Sequence, residues 1–170
     1  MGQTKVYERF PFWIVVLSNI VGVSIYLIGA YILAGLGLWM SGLYLLYCFG
    51  LEFRLLKGHC VNCYYYGKIC GFGKGKLCSW LFKPGEPRKF AEAEISWGDM
   101  LPDFLVLLWP VLGALILLVQ NFTWLLIGLL ILLVALSLSG NALVRGSLVC
   151  KYCRQRELGC PAARLFGMEE

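Results

Sequence analysis

Two segments of this chain repeat one pattern of thiols. Cys60-Val-Asn-Cys63 is followed six residues later by Cys70, and Cys150-Lys-Tyr-Cys153 is followed six residues later by Cys160. Both read C-x2-C-x6-C. Each follows a basic residue and a glycine, Lys57-Gly58 in the first copy and Arg145-Gly146 in the second. Two residues between cysteines allow a tight turn that aims both sulfurs at one metal ion or cluster. A single C-x2-C carries little weight, but two copies with the same further spacing point to a shared ligand role.

Cys78 and His59, the one histidine, extend the set. The candidate donors are Cys60, Cys63, Cys70, Cys78, Cys150, Cys153, Cys160 and His59, enough for two four-ligand centres. One partition joins Cys60, Cys63, Cys150 and Cys153, leaving Cys70, Cys78, Cys160 and His59. The other gives each triplet its own site, completed by Cys78 or His59. The spacing does not choose between them. Iron–sulfur is the first reading of the metal, supported by the terminal Cys160-Pro161, although the six-residue gap departs from the ferredoxin run. Zinc is the second, because paired C-x2-C turns are a habit of structural zinc sites. Metal-free thiol exchange is the third. Cys48 stands apart and reads as an apolar filler.

The elements that must position these residues are membrane helices. The chain is 59 % hydrophobic and 15 % charged, where a soluble domain is about a quarter charged. No Asp, Glu, Lys or Arg lies between Arg9 and Glu52, or between Asp103 and Arg145. Each gap runs for about 40 residues, about 60 Å as one helix and twice the hydrocarbon thickness. Each is therefore expected to be a helical hairpin. The fold class is an all-α membrane protein with four transmembrane helices in two hairpins. A Cys-rich cytoplasmic loop and C-terminal tail then form a small metal-bound module.

The expected organisation is a first hairpin in 1–51, a Cys-rich loop with an interfacial helix in 52–100, a second hairpin in 101–144 and a Cys-rich tail in 145–170. The N-terminal apolar run reads as a retained span rather than a cleaved signal. The first hairpin's turn is expected near Gly29, Gly35 and Gly37. The second runs Phe104 to Val119, turns at 120–123, and returns from Trp124 to Val144, with Pro110 expected to kink the third span. A short interfacial helix is expected over 90–100, with Trp97 in an aromatic belt. Asp99 and Asp103 read as acids favouring a helix start.

Basic residues crowd the loop and tail, and the short turns carry no charge. The positive-inside rule puts loop, tail and both termini in the cytoplasm of a cell membrane; the chain reads as prokaryotic. A reducing compartment favours metal ligation over disulfides. Gly71-Phe-Gly-Lys-Gly-Lys76 reads as a basic loop touching anionic lipid and does not match a P-loop. Tyr64-Tyr65-Tyr66 reads as packing against the bundle. No Asp, Glu, Lys, Arg or His falls inside the expected spans, which argues against an ion-coupled transporter. No acid–base or nucleophile constellation identifies an enzyme.

The expected function is that of an electron-transfer or anchor subunit in a larger membrane redox complex. A zinc-stabilised scaffold or assembly factor is the alternative, and a thiol–disulfide oxidoreductase comes third. The expected partners are the lipid bilayer, an acidic soluble or membrane protein, and anionic lipid. No nucleic acid is expected.

Overall fold

The computed structural model describes residues 6–93 and 96–165. It is helical, and among the described residues there is no strand. The only extended pairing there is a single parallel bridge between Tyr7 and Cys153. Four long helices dominate: α1 Phe12–Ala34, α2 Leu38–Gly58, α5 Trp97–Gln120 and α6 Trp124–Ala135. Two short helices, α3 Lys74–Leu81 and α4 Pro87–Glu92, lie between α2 and α5. Beyond Ala135, α6 continues in wider π-type winding over Leu136–Gly140 and Ala142–Val149. The tail then forms α7 Arg154–Glu157 and α8 Pro161–Leu165.

Three helical stretches are long and apolar enough to cross a membrane: Phe12–Ala34, Gly98–Gln120 and Trp124–Tyr152. The fourth expected span, α2, is helical throughout, but it runs past the expected limit at Leu51 and takes Glu52, Arg54 and Lys57 into its last turns. Large apolar side chains cover the outside of all four helices. Leu27, Leu46, Phe49 and Ile131 are all more than half exposed.

α1 is the hub and packs against α2, α5 and α6. Its inner face supplies Ile14, Val21, Ile25 and Ile32 to one apolar cluster. Ala30 and Leu33 join Tyr44 and Cys48 in a second, which confirms Cys48 as a buried filler. The first turn falls at Gly35–Gly37, where Gly37 has φ +148° and needs the freedom of glycine. Gly29 is not in that turn. It lies inside α1, where a Cβ would strike the Tyr44 hydroxyl and Pro110, so it permits close helix contact.

Pro110 lies within α5, as does Pro102. Proline leaves the carbonyl four residues earlier without its helical donor. That carbonyl belongs to Val106, and the Tyr44 hydroxyl donates to it at 3.0 Å. Such a replacement matters most where no water reaches the backbone. Tyr47 ties the same two helices through the Pro102 carbonyl at 2.9 Å.

The start of α5 differs from expectation. The interfacial helix expected over 90–100 falls partly on residues 94 and 95, outside the described ones. α4 ends at Glu92 and α5 begins at Trp97, seven residues before the expected span. The reason is local: the Asp99 carboxylate accepts from the Ser96 N–H at 3.0 Å and hydroxyl at 2.9 Å. Asp99 therefore caps a helix, as an acid near an N-terminus should.

Candidate metal centre

The two C-x2-C segments fold alike. Cys60–Asn62 and Cys150–Tyr152 each form one 3-10 turn. The second cysteine of each leaves that turn in an extended conformation, φ −79° and ψ 148° at Cys63, φ −83° and ψ 122° at Cys153. The Cys63 N–H donates to the Cys60 carbonyl at 3.4 Å, and the Cys153 N–H to the Cys150 carbonyl at 3.3 Å. Their sulfurs are also served alike: Cys63 Sγ accepts from the Tyr65 N–H, and Cys153 Sγ from the Gln155 and Arg156 N–H groups. Cys70 Sγ accepts from the Gly75 N–H at 3.4 Å. Backbone donors aimed at sulfur stabilise thiolate and orient it, as outer-shell bonds do around metal ligands.

The third and fourth loop cysteines depend on α3. Gly73, at φ +71°, turns the chain into this helix. Gly75 then sits hard against the Tyr65 and Lys68 carbonyls, where any Cβ would collide. This close seat brings the Gly75 N–H to Cys70. One turn on, Cys78 is fully buried and its thiol donates to the Leu56 carbonyl at 3.6 Å. Lys74, at the head of α3, pairs with Glu52 of α2, which also accepts from the Tyr26 hydroxyl at 2.8 Å. The glycine-rich stretch is therefore anchored in the fold. Its Phe72 carbonyl accepts from Asn19 of α1 at 3.2 Å, and Lys74 pairs with Glu52.

Loop, tail and N-terminus form one module. Tyr65 is its centre and is 1 % exposed. The Tyr65 hydroxyl donates to the Tyr7 carbonyl at 2.5 Å and accepts from the Arg154 N–H at 2.9 Å. The N-terminal segment bridges tail and loop: the Tyr7 N–H donates to the Tyr152 carbonyl and the Phe10 N–H to the Ile69 carbonyl, each at 3.0 Å. Buried Gln155 accepts from the Tyr64 N–H at 2.7 Å and donates to the Gly159 carbonyl at 3.2 Å. Rings of Tyr7, Phe10, Tyr64, Tyr65 and Tyr152 touch in sequence around this point. The packing role expected of the tyrosine run holds for Tyr65.

The module gathers the sulfurs without closing them on a point. Among the described residues, no three His, Cys, Asp or Glu side chains are set to hold a single ion. The described cysteines are all free thiols. Burial pushes the Cys60 thiol up to about 12, with Cys70, Cys78 and Cys63 adding to the rise and Lys74 opposing it. Burial likewise raises Cys63 to about 11, with Cys70, Cys160 and Cys78 contributing. It raises Cys153 to about 12, with Cys63 and Cys150 contributing. Cys78 is raised by burial and by Cys70. A thiol-exchange site works in the opposite direction, with a lowered pKa. A bound cation reverses the penalty and holds the thiolate. His59 stacks edge-on against Phe90 at 6.2 Å between ring centres.

A cleft of about 460 Å3 opens beside the first knuckle, between Cys63, Tyr64, Tyr66, Pro84, Pro87 and Gln155. Sequence reasoning singled out neither Gln155 nor the N-terminal segment, because both act through tertiary hydrogen bonds that leave no motif. No protein-family model, curated protein or solved structure matches the chain.

Proposed function

We propose that this protein is a membrane-anchored metalloprotein whose cysteine module lies at the cytoplasmic face of a four-helix bundle. The observation that carries the reading is the pair of matching knuckles, each offering two cysteines and backbone N–H groups to sulfur. α2 is the fourth span, its charged last turns reaching the headgroups, where basic side chains extend to water. Exposed apolar residues along its outer face support this. Both hairpins then return to one side, and the basic loop and tail make that side the cytoplasm of a prokaryotic cell membrane.

The module holds one or two cysteine-ligated centres, iron–sulfur in the first reading, as an electron-transfer or anchor subunit of a membrane redox complex. An iron–sulfur centre supplies one-electron transfer. The chain's own residues hold sulfur, exclude water and offer a basic surface to an acidic soluble or membrane partner. Lys68 and Arg88 on the wall of the cleft beside Cys63 favour such a partner. Zinc is the second reading, that of a scaffold or assembly factor. It is favoured by the way three chain segments meet in a module with so small an aromatic core, where a structural ion supplies folding energy.

The test is anaerobic purification of the full chain followed by a visible spectrum and analysis for iron, zinc and sulfide. Broad absorption near about 400 nm with matched iron and sulfide, lost in Cys60→Ser or Cys150→Ser, supports the redox reading. A colourless protein with about one or two zinc ions supports the scaffold. Absence of any metal sinks both.

A further inference from the structure

α3 turns two faces to different surroundings. Gly75 and Cys78 are buried against the protein. Leu77, Trp80 and Leu81 follow the i, i+3 and i+4 spacing of one helix face. All three are exposed, and Trp80 is 80 % exposed. The neighbouring short helices differ: among the described residues, α4 and α7 expose no large apolar side chain. We infer that α3 is seated in the cytoplasmic leaflet, with Leu77, Trp80 and Leu81 among the lipid chains and Lys76 and Lys83 on anionic phospholipid headgroups. This lipid contact presupposes the membrane-anchored reading above and needs no metal.

The depth of α3 carries the inference. The chain leading into it lies against the apolar span of α1, where the Phe72 carbonyl accepts from Asn19 and Gly73 sits on Val15. Both partners belong to the first two turns of α1. At the head of α3, Lys74 pairs with Glu52. Just past its end, the Phe82 ring meets the Phe53 ring at 5.3 Å between centres. Both ends of α3 thus meet α2 at adjacent residues, so the helix lies across α2 rather than along it. A helix that crosses a span at this level lies near the plane of the leaflet. An amphipathic helix so placed buries its apolar face at the boundary between chains and headgroups, and tryptophan favours that boundary.

Continuity and charge identify the occupant as lipid. Phe53, which touches Phe82, shares one face of α2 with Leu46 and Phe49, and all three are more than half exposed. The apolar face of α3 therefore continues the outer face of a membrane helix. From 53 to 85 the chain holds no acid, and Arg54, Lys57, Lys76 and Lys83 are exposed within that stretch. Lysine stems can run along apolar depth and bring their ammonium groups to the phosphates, and an anionic leaflet attracts such a cluster. An acidic soluble partner would account for the lysines, but not for three apolar side chains beside them at this depth.

The test places the full chain in nanodiscs of phosphatidylcholine, with or without phosphatidylglycerol, whose acyl chains carry bromine near the headgroup. Bromine quenches tryptophan emission on contact, and the difference between the unsubstituted chain and Trp80→Phe isolates Trp80. Trp80 is expected to lose most of its emission, and to lose more when phosphatidylglycerol is present. Lys76→Gln combined with Lys83→Gln is expected to cancel that extra loss and leave the rest. An unquenched Trp80 beside quenched span tryptophans overturns the inference and leaves the membrane anchor standing. Equal quenching with and without phosphatidylglycerol overturns the role of the two lysines. No quenching of any tryptophan overturns the anchor and the seat together. If Trp80→Phe does not fold, a benzophenone side chain placed at position 77 decides, in membranes of the expressing cell, with one at position 46 as the control within a span. Lipid adducts at both positions support the seat. An adduct from position 77 to a second copy of the chain or to another protein overturns it, as does none where position 46 gives one.

Discussion

The loop knuckle and the tail knuckle share a backbone but not a setting. The loop copy is backed by a helix: α3 seats on it through Gly75, serves Cys70 and brings in Cys78. The tail copy has no such backing. It follows the wide π-type winding at the end of α6 and is held by Tyr7, Tyr65 and Gln155. A duplicated motif therefore gives two local turns of the same shape, while tertiary neighbours decide what each turn packs against. The loop copy has the buried Cys78 of α3 behind it, and the tail copy leans on the loop through Tyr64 and Tyr65.

The sharpest way to break this contrast is at the seat of α3. Gly75→Ala puts a methyl group into the Tyr65 and Lys68 carbonyls, which backbone cannot easily yield. We expect a loss of about 3 kcal/mol or more, with Cys70 and Cys78 becoming reactive to alkylation while Cys153 stays as slow as before. Equal release of loop and tail thiols would show the two sets to be one unit.

The bond between the copies comes next. Tyr65→Phe removes both the donor to Tyr7 and the acceptor for Arg154, at a cost of about 1–3 kcal/mol. Hydrogen exchange is expected to quicken across 150–157 more than across 74–81. Gln155→Ala is expected to act in the same direction with about 1–2 kcal/mol, read as a fall in the melting temperature of the module.

pH separates metal-free from metal-loaded protein. Cys60 and Cys153 are raised from 9.0 to about 12 without metal. A raised folded-state pKa favours the neutral thiol in the fold, so its stabilisation is complete below pH 9 and is lost as pH climbs towards 12. Stripped protein is expected to open over that window, and metal-loaded protein to stay closed. Circular dichroism against pH checks this; identical curves would contradict the ligand role. The smallest effect belongs to the exposed Arg88–Glu92 pair at 2.7 Å. Glu92→Gln is expected to change stability by no more than about 0.5 kcal/mol, and a larger loss would show that α4 supports the loop site more than its exposure suggests.

Much of the architecture was legible in the sequence. Long gaps without charge have few outcomes other than apolar helices, and the turn at 120–123 and the cap at Asp99 follow from local chemistry. The helix ends were less legible. Glu52, Arg54 and Lys57 look like the close of a hairpin, yet backbone hydrogen bonding carries α2 on to Gly58. Gly29 looks like a turn residue and serves instead as a contact surface for Tyr44 and Pro110.

The sequence by itself determined which residues can bind through sulfur, and that their spacing repeats, because short-range turn geometry depends on a few adjacent residues. Only the tertiary structure decided that Tyr44 would serve the carbonyl freed by Pro110 and that Gln155 and Tyr7 would join the tail to the loop. It also decided that Cys78 would be buried on the carbonyl of Leu56. Each of these joins residues far apart in the chain, and a contact of that kind is set by how helices pack, which no local spacing encodes.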